Sequence, residues 1–190
     1  MAGSEQTKTA PSLMTDKVRG LIGTKTAVME MYGSVDAETI RRYVHGIPDQ
    51  DPIYWDEEAS KRFGGIVAPP MSPSYIGGRK PPWEQDLMPQ IMDEDPFDDG
   101  GGGMKRKEEV LPDIRSVAPT RSHLHAGDEI EFFALPMLGD KIFYQSEWID
   151  VVEKRGRDGR AFLLVTSETS YWNQDDQMLL KIRGLGIERP

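Results

Sequence analysis

The sequence predicts an α+β fold with helices gathered on one face of an antiparallel sheet. Two observations predict it. Capped segments with apolar residues at helical spacing lie before about Lys80, and from Ile114 to Arg189 the chain reads as long strands joined by short turns. A meander of long strands needs an apolar partner for its inner face, and the preceding helices are the material for one.

Leu13, Val18, Leu21 and Ile22 suggest a short helix ending near Gly23, and residues 26–32 a strand. A clearer helix follows, with Asp36 or Ser34 as its cap. Ile40, Tyr43, Val44 and Ile47 fall at i, i+3, i+4 and i+7, which marks one buried face, and Gly46 and Pro48 end it. After the polar loop 49–52 comes Ile53-Tyr54-Trp55. Asp56 then caps a second helix, with Glu57 and Glu58 in its first turn, Lys61 and Arg62 in its last, and Gly64-Gly65 beyond. Residues 81–112 read as a mobile insertion: an acidic run, four glycines and then Lys105-Arg106-Lys107 bury little and gain little from ordering. In the last region, strands are expected over 129–135, 142–152, 161–172 and 178–187. Asp158-Gly159 is a strong hairpin-turn signal between the second and third.

The chain has 190 residues, 37% hydrophobic, which suits one domain over 12–190 behind a polar, flexible tail at 1–11. No run approaches the length of a membrane span, and the first residues lack an apolar signal core, so the expected location is cytoplasmic. There is no cysteine, so disulfides and thiol nucleophiles are excluded, and three histidines without cysteine do not make a zinc cluster. A net charge of −9 argues against nucleic acid, though local basic groups could hold a phosphorylated ligand.

The stretch from Tyr43 to Ser60, Tyr-Val-His-Gly-Ile-Pro-Asp-Gln-Asp-Pro-Ile-Tyr-Trp-Asp-Glu-Glu-Ala-Ser, resembles the hydratase motif of the MaoC-like proteins. That motif runs from an aromatic residue to Gly-Asp-x-Asn-Pro-aliphatic-His and a small residue six positions later. Asp49 falls on its aspartate, Pro52 and Ile53 on its Pro-aliphatic pair, Tyr54 on its histidine and Ser60 on its small residue. Val67-Ala-Pro-Pro-Met71 is similar to a segment of the FAS1-like dehydratase branch, and Leu138-Gly-Asp140 to the turn that precedes a long strand there. The resemblance implies a hot-dog fold, a long helix wrapped by an antiparallel sheet. It implies acyl thioesters of coenzyme A or acyl carrier protein as substrates, with no further cofactor or metal. The reaction it implies is reversible addition of water to a 2-enoyl thioester, giving the (3R)-hydroxy product.

This chain departs from the motif where the chemistry is demanding. Water must be deprotonated as it attacks C3, C2 must gain a proton, and the enolate oxygen needs donors. Tyr54 replaces the histidine, and a phenol with a pKa of about 10 is a donor, not a ready base. Pro69 and Pro70 stand where a glycine amide is expected, and proline has no N–H. Pro48 replaces the glycine before Asp49, and Asp51 replaces the asparagine, adding a charge beside the carboxylate. The resemblance therefore points to one subunit of a heteromer, its partner a second MaoC-like hot-dog with an intact Asp/His motif; otherwise a homodimer is expected.

Asp49 and Tyr54 are the first catalytic candidates, and Tyr54, Pro69, Pro70, Met71 and Arg79 the substrate-binding ones. His123 and His125, at i and i+2, share a face on a strand and are the residues an alternative site would use. Arg79, Lys80, Lys105, Arg106 and Lys107 are candidates for coenzyme A phosphates. The competing readings are a homodimeric hot-dog with altered acyl-thioester chemistry, and a non-catalytic thioester-binding or scaffold protein.

Overall fold

The computed structural model of the chain describes residues 12–76, 93 and 110–190. The expected tail lies outside the described residues. So does most of the expected insertion, together with Arg79, Lys80, Lys105, Arg106 and Lys107.

The helical half begins with α1 (Asp16–Arg19), one turn capped by the Thr15 side chain, which accepts from the Val18 N–H. Val18 and Leu21 are buried, but Ile22 is exposed. The chain turns there at Gly23, whose φ of 82° suits glycine and whose N–H donates to the Trp148 carbonyl at 2.8 Å. Strand β1 (Met29–Ser34) starts later than its apolar pattern suggests. Thr26 already bonds to Ser146, but a continuous ladder begins only at Met29.

Helix α2 (Ala37–Gly46) is capped by Asp36, which accepts from the Thr39 N–H at 2.6 Å. Ile40 and Val44 are buried as expected, whereas Ile47 is exposed: as the C-cap it has left helical geometry, so the stripe ends one turn early. A 3-10 turn (Pro52–Tyr54) follows. Then comes α3 (Glu57–Ser60), capped by Asp56, which accepts from the N–H groups of Glu58 and Ala59. The helix expected from Asp56 to Gly64 is broken. After Ser60 it tightens into a second 3-10 turn (Lys61–Phe63) that Gly64 closes at φ 89°. Helix α4 (Ser72–Ile76) is held to α2 by the edge of the Tyr75 ring against Tyr43, centroids 5.6 Å apart.

The sheet half is β2 (Ser122–Phe132), β3 (Lys141–Arg155), β4 (Ala161–Asn173) and β5 (Met178–Arg189), each longer at one or both ends than its apolar run. All pairings are antiparallel, in the order β1-β3-β4-β5-β2. Two apolar clusters cover the inner face. Ile40 and Val44 of α2 pack with Ile142, Leu179, Leu180 and Tyr171, and Val18 and Leu21 pack with Val151, Leu163 and Val165. Val165 and Tyr171 are an even number of residues apart on β4, so both clusters lie on one face and both helices on one side. Burying each of the largest side chains there contributes roughly 1.5–3 kcal/mol. The outer face is polar at its centre. Glu168 accepts from Lys181 Nζ at 2.9 Å and from Arg183 Nε at 2.6 Å. Among the described residues no helix is long and apolar enough to cross a membrane.

Candidate functional site

The loop after α2 is built by its own carboxylates. Asp49 Oδ1 accepts from the Asp51 N–H at 3.0 Å, and Asp51 Oδ1 accepts from the Ile53 N–H at 3.1 Å, capping the turn that Pro52 opens. Pro48 enters this loop at φ 25°, on the side of φ that glycine takes freely and far from the roughly −65° that the proline ring prefers. The turn then delivers Tyr54 into the apolar cluster beside Ile53, Val67 and Leu180, with the residue only 8% exposed.

Between α2, this loop and the Ile66–Leu138 pairing lies a cleft of about 650 Å³. Ile40, Val44, Ile66 and Leu138 form apolar walls, Asp49 and Tyr54 stand at one side, and Arg41, His45 and Trp55 also border it. The Arg41 guanidinium is engaged by Glu38 through two bonds of 2.7 Å. The Tyr54 phenol is pushed up to about 12: burial disfavours the phenolate, the Asp49 charge and hydrogen bond hold the proton on, and Asp51 adds to this. A few convergent polar groups in an apolar cleft are what a ligand site requires.

The sequence candidates divide over the structure. Asp49 and Tyr54 come together in the cleft. Pro69, Pro70 and Met71 are not among the residues that line it: Pro69 is fully buried, and Met71 packs on the apolar cluster below. The amide just before them is occupied, since the Ala68 N–H donates to the Pro136 carbonyl at 2.7 Å. Arg79 lies outside the described residues. His123 and His125 sit at the other end of the inner face. His125 Nε2 is 3.4 Å from Asp128, and His123 Nδ1 is 2.6 Å from Glu188 Oε1.

Glu188 was not singled out from sequence. It is 2% exposed, and its Oε2 has no hydrogen-bond partner. It faces His123 across β5 and β2, and Gly186 beside it leaves room for the ring: a Cβ there would stand 2.6 Å from His123 Cε1. The local signal was a lone carboxylate in a strand whose other charged side chains are basic; its partner lies 65 residues away. Among the described residues no group of three or more His, Cys, Asp or Glu side chains could hold a metal ion.

Residues 21–181 match the family model of the FAS1-like dehydratase domain region. No curated protein matches the chain. Among solved structures, the ChsH1–ChsH2 complex from Mycobacterium tuberculosis is similar at 16% identity over 91% of this chain and 92% of that one, with a TM-score of 0.59. A C-terminally truncated HadBC (3R-hydroxyacyl-ACP dehydratase) complex from the same organism matches at 15% identity over 88% and 96%, TM-score 0.51. A MaoC-like dehydratase from Rhodospirillum rubrum matches at 16% identity over 89% and 94%, TM-score 0.52. At such identities the likeness shows the fold, and that fold is the hot-dog.

Proposed function

Because the chain belongs to the FAS1-like dehydratase domain family, we propose that it is one hot-dog subunit of a heteromeric enoyl-thioester hydratase, or (3R)-hydroxyacyl dehydratase in the reverse direction. It completes the acyl pocket beside a partner that carries an intact Asp/His motif. The substrate is an acyl thioester of coenzyme A or acyl carrier protein. One observation carries this reading: the residue in the place of the motif histidine is a phenol held protonated far above neutral pH.

In hydration, the water oxygen bonds to C3, one water proton leaves, C2 takes up a proton, and negative charge develops on the thioester oxygen. Tyr54 with its proton in place can donate to an oxygen but cannot take the proton from water. Asp49 already spends one carboxylate oxygen on the Asp51 amide. The base and the oxyanion donor then come from the partner. This chain holds the acyl group on the walls of Ile40, Val44, Ile66 and Leu138, with Tyr54 and Asp49 bounding one side of the cleft. The edge of β2 supports an association of this kind: among the described residues it pairs only with β5, and it exposes Leu124, Ile130 and Phe132. Two of the similar structures are themselves complexes.

A second reading is a homodimer with altered chemistry. The observation favouring it is His123, whose ring the buried Glu188 carboxylate orients as a base is oriented in other hydrolytic sites. Hydration of a panel of 2-enoyl-CoA thioesters separates the two. The chain is assayed alone, and then mixed with a hot-dog protein that has the intact motif. The heteromer reading expects turnover only in the mixture; turnover by the chain alone that His123→Ala abolishes would replace it with the second reading.

A further inference from the structure

The far end of the β3–β4 hairpin carries a second concavity, of about 800 Å³, on which the acyl cleft makes no claim. The fifteen residues of β3, at roughly 3.3 Å each, put on the order of 50 Å of strand between the Lys141 end beside the acyl cleft and Arg155 here. Its walls combine three guanidinium groups, from Arg155, Arg160 and Arg189, with an apolar floor that includes Leu13 and Phe162.

The carboxylates at this end are already committed. Asp158 Oδ1 accepts from the Arg160 N–H at 3.1 Å and shapes the hairpin turn. Glu153 Oε2 accepts from the Ser12 hydroxyl at 2.6 Å and from the Leu13 and Met14 N–H groups, which pins Leu13 into the floor. Glu188 is buried against His123.

The arginines are not committed in the same way. Among the described residues the Arg155 guanidinium makes one hydrogen bond, from Nη1 to the Gly159 carbonyl at 3.2 Å, and Arg160 Nε makes a long, exposed ion pair with Asp158 at 3.7 Å. The Arg189 side chain has no partner among the described residues. Lys154 and Arg157 on the same hairpin add two more cations, in a chain whose net charge is −9. Arg155 also lowers the Glu153 pKa through its charge and Asp158 itself lines the cleft, but Arg189 is unpaired among the described residues and the cations here outnumber the carboxylates. Guanidinium forks match phosphate oxygens two at a time, and the apolar floor suits the body of a ligand that carries them.

We propose that this cleft binds a phosphate-bearing small molecule with an apolar or planar body, at a site separate from the acyl cleft of the same chain. The inference does not rest on the acyl-thioester reading. Isothermal titration of the full chain in low salt tests it, with 3′,5′-ADP as the planar diphosphate probe, pyrophosphate as the probe without a body, and phosphatidylglycerol vesicles as the lipid arm. The expected result is saturable, one-site binding of 3′,5′-ADP, stronger than that of pyrophosphate and weakened by added salt. Arg155→Gln or Arg189→Gln should each weaken it about tenfold or more, while Tyr54→Phe leaves it unchanged. Thermal unfolding of the variants, whose altered groups are exposed, confirms that they fold. No saturable binding of 3′,5′-ADP, binding indifferent to both Arg155→Gln and Arg189→Gln, or binding to vesicles alone would each overturn the proposal.

Discussion

On the outer face of the sheet Glu168 lies between Lys181 and Arg183; in the cleft Asp49 faces Tyr54. Glu168 and Tyr54 are both largely withdrawn from water, and their surroundings settle them differently. For Glu168 burial alone would raise the pKa, but the hydrogen bonds and charges of Lys181 and Arg183 outweigh it and hold the carboxyl below its ordinary range. For Tyr54 burial and the carboxylates act in the same direction, and the group stays neutral to about 12. The first arrangement fixes charge for structure. The second keeps the phenol protonated, with its proton held toward Asp49, and so leaves no ready base at Tyr54 near neutral pH.

The contrast can be broken most forcefully at Glu168. Glu168→Ala leaves Lys181 and Arg183 facing each other across a part-buried gap, and urea unfolding should register a loss of about 2–4 kcal/mol. Glu168 has a lowered folded pKa, so its contribution is present above the unfolded carboxylate value of about 4 and is lost as pH falls through the folded one. The wild-type stability curve should therefore drop on acidification more steeply than that of Glu168→Gln; parallel curves would contradict the pairing. At the His123 end the expected loss is smaller. His123→Ala strips the buried Glu188 of its partner and should lower stability by about 1–3 kcal/mol, again read from urea curves.

At Tyr54 the sign reverses. A tyrosine whose folded pKa is raised contributes stability that is whole below its unfolded value of about 10 and disappears as pH climbs through about 12. Tyr171, partly buried and stacked on Tyr144, is pushed up to about 12 as well and adds to the same alkaline window. Spectrophotometric titration, with Tyr54→Phe as the blank, should find the Tyr54 phenolate appearing near 12. Asp49→Asn should bring it part of the way back towards 10, because burial, the larger cause, remains. The smallest effect is expected at Pro48: replacement by glycine relieves a positive φ but loosens the unfolded chain, for a net gain of about 1 kcal/mol or less in thermal unfolding.

Local chemistry made much of this fold legible in advance. Asp36 and Asp56 cap where their side-chain oxygens suggest, Ile40 and Val44 lie on the buried stripe, and Asp158-Gly159 turns the long hairpin. The misses share a cause in long-range geometry. Strand β2 begins at Ser122, seven residues before its apolar run, because β5 offers a ladder there that the polar pattern does not advertise. Ile47 fits the helical period, but the helix stops first. In the cleft, Asp49 and Tyr54 are close in sequence and could be paired on sight. The Glu188–His123 contact and the opening that Gly186 makes for it depend on strand register, which no motif carries.

The central claim is that this chain shapes the acyl pocket while a partner carries the proton chemistry. Its most direct test is the hydration rate of the reconstituted pair when this chain bears Asp49→Asn together with Tyr54→Phe. The complex should assemble with kcat within about tenfold of wild type and any larger effect confined to KM. A fall of about 10²- to 10⁴-fold in kcat with assembly intact would place the acid/base work in this chain and contradict it.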